Sequence, residues 1–443
     1  MNDKYLELSN KYNNFNYNGY DISYNQDNIE VIYHFEIEGL CFFNPSFSIN
    51  CSLDNKNKSF VENIIFNIGL VEVISYWKSV CSKNINIKCG YLSDEQIKWF
   101  KKLYFNGLGE FFYRNNIDVS FDDFVNINCL SDKKFDIDLD YNGNGNLIPV
   151  GGGKDSNVTL ELLKDEDNTC FVINPKDVHY ECIDKSNVDN TLIVDRKIDK
   201  KLIELNELGY LNGHTPFSAL VSFISLLGAY LLNKKYIVLS NEGSANEATV
   251  IGSDINHQYS KSYEYENDFN DYVNKYFKID IKYFSLLRCL NELQIAMLFS
   301  NYKKYHHIFR SCNLGSKDNN WKWCGECPKC LFTFIILAAF MDYEEVVKIF
   351  NKDLLDDEGL LKDLKELLGE TASKPFECVG TIDEVKTAMS LIVRRNNRDS
   401  LLMKYFKDNY DLVNDDLLKE FNNENNIDPY FVDIVKEEIE KYV

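Results

Sequence analysis

Three regimes of hydrophobic patterning follow one another along the 443 residues. Residues 1 to about 55 alternate polar and apolar positions in short runs. Val31-Ile32-Tyr33-His34-Phe35-Glu36-Ile37 is the clearest, with the period of two that predicts half-buried strands. Asn-rich stretches such as Tyr17-Asn18-Gly19-Tyr20 predict the turns between them. Over 59–82 the period lengthens, and Ile64, Ile65, Ile68, Val71, Val73 and Ile74 predict a helix with a broad apolar face. A second helix is predicted over 94–104. Turn-rich Asn142-Gly143-Asn144-Gly145-Asn146 then marks a boundary, so 1–145 reads as an N-terminal α+β domain.

From residue 147 the pattern changes to continuous apolar strands separated by helical stretches. The strands are centred on Leu147-Ile148-Pro149-Val150, Cys170-Phe171-Val172-Ile173, Thr191-Leu192-Ile193-Val194 and Tyr236-Ile237-Val238-Leu239. The longest helical stretch, 217–232, is apolar enough to be buried. This alternation predicts an α/β fold with a doubly wound parallel sheet over 146–340. Ligands of such sheets bind beyond the carboxyl ends of the strands, where Asn174-Pro175, Asp195-Arg196 and Ser240-Asn241-Glu242 are expected. Residues 341–443 read as a helical C-terminal region, with helices over 356–368 and 384–395. Thr381 or Asp383 is positioned to cap the latter.

The first strand of this region runs into Gly151-Gly152-Gly153-Lys154-Asp155-Ser156 and then into a helix. Three glycines let a backbone approach a bulky anion without side chains in the way, and the unpaired N–H groups of a helix start attract phosphate. Lys154 adds a mobile charge and Ser156 a hydroxyl for cap or phosphate. Asp155 opposes phosphate unless a magnesium ion accompanies it. The spacing fits neither G-x-x-x-x-G-K-[ST] nor G-x-G-x-x-G. The loop resembles the S-G-G-x-D-S loop of ATP pyrophosphatases, with Gly151 where that family usually has serine. The resemblance implies ATP as ligand, the PP-loop fold, and ATP contacts from Gly151, Gly152, Gly153, Lys154, Asp155 and Ser156; Asp195 and Glu242, at the strand ends, are the further candidate ATP contacts.

Charge narrows the partners. Sixty-nine Asp and Glu against 48 Lys and Arg give a formal −21, which opposes a large nucleic-acid footprint. The polar N-terminus does not read as a signal peptide, and no apolar run is expected to cross a bilayer. Thirteen cysteines are sparse in a chain this long, so a cytoplasmic setting with reduced thiols is expected. Four of them are grouped: Cys312, Cys324, Cys327 and Cys330, a C-x11-C-x2-C-x2-C array with Gly325 and Pro328 at its bends. Four thiolates at this spacing suit tetrahedral zinc; an iron–sulfur cluster or a C-x2-C redox pair are the alternatives. Similar four-cysteine zinc loops follow the nucleotide domain in the cyano-deazaguanine synthases, which carry a G-G-x-D-S type loop as well.

Taken together, Tyr76-Trp77-Lys78, Gly107-Leu108-Gly109-Glu110-Phe111-Phe112-Tyr113, the Gly-rich loop, Ser240-Asn241-Glu242, Asn256-His257-Gln258, Trp323-Cys324-Gly325-Glu326-Cys327-Pro328-Lys329-Cys330 and Lys374-Pro375-Phe376-Glu377-Cys378-Val379-Gly380 form one set. That set is similar to the UDP-N-acetylmuramoyl-L-alanyl-L-glutamate epimerases, the MurL group, over residues 60 to 400. The resemblance implies inversion of the terminal glutamate of the muramyl dipeptide nucleotide with ATP and magnesium, through an adenylated carboxylate. Groups that titrate near neutrality must then move the α-proton, and the candidates are Cys378, His214 and His257. Two other classes share the loop: a different adenylating enzyme, acting on a nucleobase or tRNA, and a non-catalytic zinc-stabilised nucleotide-binding protein.

Overall fold

The computed structural model describes residues 2–137, 140–247, 249–250, 255–317, 321–395 and 398–442. Its strands in chain order are β1 (Asn14–Tyr24), β2 (Ile29–Ile37), β3 (Cys41–Phe43), β4 (Ser46–Ile49), β5 (Asn84–Ile87), β6 (Asn126–Cys129), β7 (Asn146–Pro149), β8 (Asn168–Ile173), β9 (Asn190–Lys197), β10 (Tyr236–Leu239) and β11 (Lys282–Ser285). The architecture is mixed α/β, and beyond β11 the elements among the described residues are helical. The chain makes two compact units, each from three segments. The first is Met1–Leu147, Leu192–Ile237 and Gln258–Lys282; the second is Ile148–Thr191, Val238–His257 and Tyr283–Val443.

In the first unit the strand order is β9-β4-β2-β1-β5-β6, with β3 also on β2. Pairing is antiparallel from β9 to β1 and parallel from β1 through β5 to β6. The alternation read in β2 is real: Ile29, Val31, Tyr33, Phe35 and Ile37 are all buried. The turn expected at Tyr17-Asn18-Gly19-Tyr20 is not a turn. These residues continue β1, and the register against β2 slips between Tyr17 and Gly19. The Asn-Gly composition serves a bulge, where one extra residue must be absorbed. A helix at Asp3–Lys11, capped by Asn2, went unread because only Tyr5, Leu8 and Ser9 of it are buried.

The helix Lys58–Trp77 lies against this sheet with Gly69 at the point of closest approach. A Cβ there would sit 2.1 Å from the Tyr17 hydroxyl. Tyr33 donates to the Ile65 carbonyl at 2.9 Å from the same side. The helix ends at Trp77, short of residue 82, because the Trp77 carbonyl takes the N–H groups of Val80 and Cys81 and Cys81 turns to φ +51°. Contrary to the expectation for apolar runs, this one is long and apolar enough to cross a bilayer, although 78% of its apolar window is buried inside the protein. Helix Phe217–Leu231 packs on it, with Tyr230 4.5 Å from Phe60.

In the second unit the ends of β11, β10, β7 and β8 lie in that order. The earlier halves of β10 and β7 run parallel. Helices Lys154–Leu162, Glu292–Asn301, Pro328–Ala338 and Ile382–Arg395 follow, the third buried from Lys329 to Ala338. Thr381 caps the last of these, as its sequence predicts, accepting from Glu384 N at 3.2 Å. The single helix read over 356–368 is instead a short 3-10 turn, Glu358–Leu360, followed by Leu361–Leu367. Asp357 accepts from Gly359 N at 2.9 Å and starts a new turn there.

Candidate active site

β7 leads straight into the Gly-rich loop of the second unit. Val150 N makes a last ladder bond to Phe171 O at 2.9 Å, and Gly152 then takes φ +74°, which reverses the chain. The Gly152 carbonyl accepts from Arg310 N at 2.8 Å, fixing the loop. Gly153 is the N-cap of helix Lys154–Leu162 and has no side chain to satisfy the first N–H groups. They remain available to an anion. Ser156 does not cap: its hydroxyl donates to the Gly153 carbonyl at 3.1 Å. Nothing lies within 4 Å of where a Gly151 side chain would begin.

Lys154 is not the mobile charge its sequence setting implies. It is 3% exposed and ion-paired to both Asp155 and Glu292. Burial would lower its pKa, but the two carboxylates hold it above the ordinary lysine value. Glu292 opens helix Glu292–Asn301 and donates its backbone N–H to Glu384 Oε1 at 2.8 Å. Glu384 also takes Thr381 N, at 2.5 Å, so two backbone donors pin a buried carboxylate. Burial pushes the Glu292 carboxyl up to about 8, with Asp155 and Glu242 adding to the rise and Lys154 opposing it. Burial likewise raises Glu384, and Glu242 adds to it. Asp155, Glu242, Glu292 and Glu384 thus stand together here against Lys154 and Lys329.

Loop 373–381 joins the same network. Lys374 N donates to Thr249 O at 2.9 Å, while its ammonium meets the Glu247 carboxylate and the Gly380 carbonyl. Gly380 is required here, since a Cβ would lie 2.5 Å from Glu384 Oε2. The Lys329 ammonium donates to the Cys378 carbonyl. His257 N is held by the Thr249 hydroxyl at 3.0 Å, and the His257 ring meets Phe376 edge-on with centroids 6.4 Å apart. Burial raises the Glu377 carboxyl, against the pull of Lys329 and His257. Beside Glu247, Thr381 and Glu384 opens a cavity of about 720 Å³, also lined by Gln294, Leu290 and Phe421.

The four cysteines converge as their spacing predicts. Their sulfurs all lie within 4.8 Å of one another, with Cys312 to Cys327 at 3.9 Å and Cys324 to Cys330 at 3.6 Å. Four thiolates 2.3 Å from one zinc are about 3.8 Å apart, so the set fits a tetrahedral ion. Gly315 N and Glu326 N point at Cys312 and Cys324 sulfurs, at 3.2 and 3.4 Å, as donors to thiolates do. Gly325 turns the chain at φ +69°, and Cys327 and Pro328 start the buried helix.

Against family models, residues 7–286 match the MurL N-terminal domain and residues 308–417 the MurL C-terminal domain. The chain belongs to the MurL epimerase family. Among curated MurL relatives, the UDP-N-acetyl-alpha-D-muramoyl-L-alanyl-L-glutamate epimerase of Xanthomonas oryzae pv. oryzae is 33% identical over 372 residues, 81% of each chain. The enzymes of that name from a Micromonospora species and from Salinispora tropica are 36% and 35% identical. They cover 77% and 73% of this chain, and 77% and 72% of their own lengths. No solved structure matches this chain.

Of the residues singled out in the sequence, the Gly-rich loop, Glu242, His257, Cys378 and the four cysteines all fall in the second unit. Glu242 is 6% exposed beyond the end of β10, with its carboxylate accepting from the Ser244 hydroxyl at 3.3 Å. Asp195 and His214 belong to the first unit. Asp195 lies inside β9, opposite Ser48 of β4, rather than past the strand's end, because β9 extends to Lys197 to complete that pairing. His214 Nδ1 stands 3.7 Å from Glu110 Oε2, a carboxylate that also binds Arg114. Sequence reasoning missed Glu292, Glu384 and Lys329. Asn291 and Gln294 do form a legible capping box around Glu292, but nothing local pairs it with a lysine 138 positions away.

Proposed function

We propose that this protein inverts the terminal L-glutamate of UDP-N-acetylmuramoyl-L-alanyl-L-glutamate to D-glutamate, consuming ATP, as a step of peptidoglycan synthesis in the cytoplasm. The observation that carries the reading is the Gly152–Gly153 turn, which leaves the start of helix Lys154–Leu162 uncapped in a chain of the MurL family. The parallel pairing of β7 with β10 and the strand order β11-β10-β7-β8 support a PP-loop fold, with the Gly-rich loop on a central strand.

The chemistry asks for two separable operations. A carboxylate resists loss of its α-proton, because the resulting dianion is poorly stabilised. Attack of the α-carboxylate on the α-phosphorus of ATP releases diphosphate and leaves an acyl-adenylate whose α-proton is far more acidic. Uncapped N–H groups of the Gly-rich loop receive the phosphates. Magnesium, when bound, neutralises phosphate charge, and Asp155, Glu292 and Glu242 are the carboxylates that would hold it. Cys378 and His257, brought to one loop cluster through Phe376 and Thr249, take the α-proton from one face and return one on the other. His214, with Glu110 beside it, is the alternative carrier. Water then splits the acyl-adenylate to AMP and the inverted acid. The four-cysteine site holds a structural zinc that fixes the helix carrying Lys329.

Incubation with ATP, magnesium and the L-glutamate nucleotide, followed by chiral analysis of glutamate released by hydrolysis, tests this. D-Glutamate with equimolar AMP is expected. AMP formed with a nucleobase or tRNA and not with the dipeptide nucleotide would favour the other adenylating class, and ATP binding without diphosphate release the non-catalytic one.

A further inference from the structure

The first unit contains a small pocket that the reaction scheme leaves unused. It measures about 110 Å³ and lies among Glu72, Ser75, Lys78, Arg196, Thr215 and Leu220. Lys78 is 8% exposed, and its ammonium donates to the Gly213 carbonyl. Among the described residues no carboxylate pairs with it. Glu72, the carboxylate in the pocket, is engaged by Arg196, whose Nε reaches Oε2 at 3.1 Å and whose Nη2 reaches Oε1 at 2.5 Å. With Glu72 engaged by Arg196, the buried Lys78 ammonium has no carboxylate of its own. An isolated buried ammonium is costly unless something compensates it.

We propose that this pocket binds a small oxyanion, a phosphoryl or carboxylate group, through Lys78 with the hydroxyls of Ser75 and Thr215 beside it. The cavity is the size of one such group. Apolar Val71, Ile74 and Leu220 on its walls lower the local dielectric and strengthen the attraction. Burial and the nearby Arg196 lower the Lys78 ammonium to about 8, against the pull of Glu72. The proposal does not depend on the epimerase reading, although the nucleotide named there carries both kinds of group.

Hydrogen exchange on the full chain, read by peptide, localises the effect. Inorganic phosphate and glutarate are the two probes, and Lys78→Met is the comparison. At ten times the dissociation constant, an anion should slow exchange over 72–79 and 211–217 about tenfold where exchange proceeds by opening of the pocket. Slowing by both probes supports recognition of charge alone; slowing by phosphate only assigns a phosphoryl group, and by glutarate only a carboxylate. Lys78→Met should lose the response and melt no lower than the native protein. No slowing with either probe, slowing confined to the Gly-rich loop peptide 150–157, or an unchanged response in Lys78→Met would overturn the proposal. So would a lower melting temperature with faster exchange over 211–217 in anion-free Lys78→Met, since Lys78 would then be an anchor for that loop.

Discussion

The two units bury different things. The first is built on aromatic packing: Tyr17, Tyr33 and Phe35 interlock with centroids 5.1 to 6.1 Å apart, and tyrosine hydroxyls spend themselves on helix carbonyls. Its buried charges are Glu72, held by Arg196, Glu110, held by Arg114, and Lys78, Lys234 and Glu266. The second unit buries Lys154, Glu242, Arg288, Glu292, Lys329, Lys374 and Glu384, most of them on the network that links the Gly-rich loop to loop 373–381. Buried charge is a poor way to gain stability. Where buried charges are joined into one network beside a Gly-rich loop, as in the second unit, the charged interior points to binding and chemistry.

The contrast breaks first at the four-cysteine site. Cys327→Ser should destabilise the protein by more than about 4 kcal/mol, the scale of losing a metal, and abolish binding of zinc at about one per chain. Thermal melting and metal analysis check this, and unchanged melting in metal-free protein would exclude a structural ion. Next comes Asp155→Ala, expected to lower AMP formation about 100-fold or more with little change in melting. Near-normal turnover would remove Asp155 from magnesium binding.

In the first unit the corresponding perturbation should touch stability alone. Gly69→Ala forces a methyl onto the Tyr17 hydroxyl and should cost about 1–3 kcal/mol by denaturant unfolding, with zinc content unchanged. Lys78 is the exception there, and pH exposes it. Its folded pKa of about 8 lies below the ordinary lysine value of 10.5, so the unfolded chain binds more protons between these values. Stability of the native protein, measured as a difference from Lys78→Met, should rise across that window and be flat below it. The smallest effect is expected from Gly151→Ser. The site is open and its backbone is not left-handed, so melting should stay within about 0.5 kcal/mol.

Much of this was legible in the sequence, and the failures have causes. Period-two alternation located β2, and the broad apolar face located helix Lys58–Trp77, because burial on one side imposes those spacings. The Gly-rich loop and the cysteine array were legible because each packs its chemistry into a few consecutive residues. Asn18-Gly19 misled, since one composition serves both turns and bulges. Lys154 misled more instructively: a glycine-loop lysine reads as a phosphate ligand, whereas its ion pairing depends on Glu292, far along the chain. Partners joined only by tertiary packing leave no local trace.

The most direct test of the central claim, that activation and proton transfer are separate tasks of one enzyme, is reaction in deuterated water with ATP, magnesium and the L-glutamate nucleotide. Mass analysis should find deuterium at Cα of the D-glutamate product only when ATP is present. Cys378→Ala or His257→Ala, or failing both His214→Ala, should still form AMP and lose the exchange. Full exchange in all three variants would contradict the assignment of the proton carriers. Deuterium incorporation without ATP would contradict activation by adenylation itself.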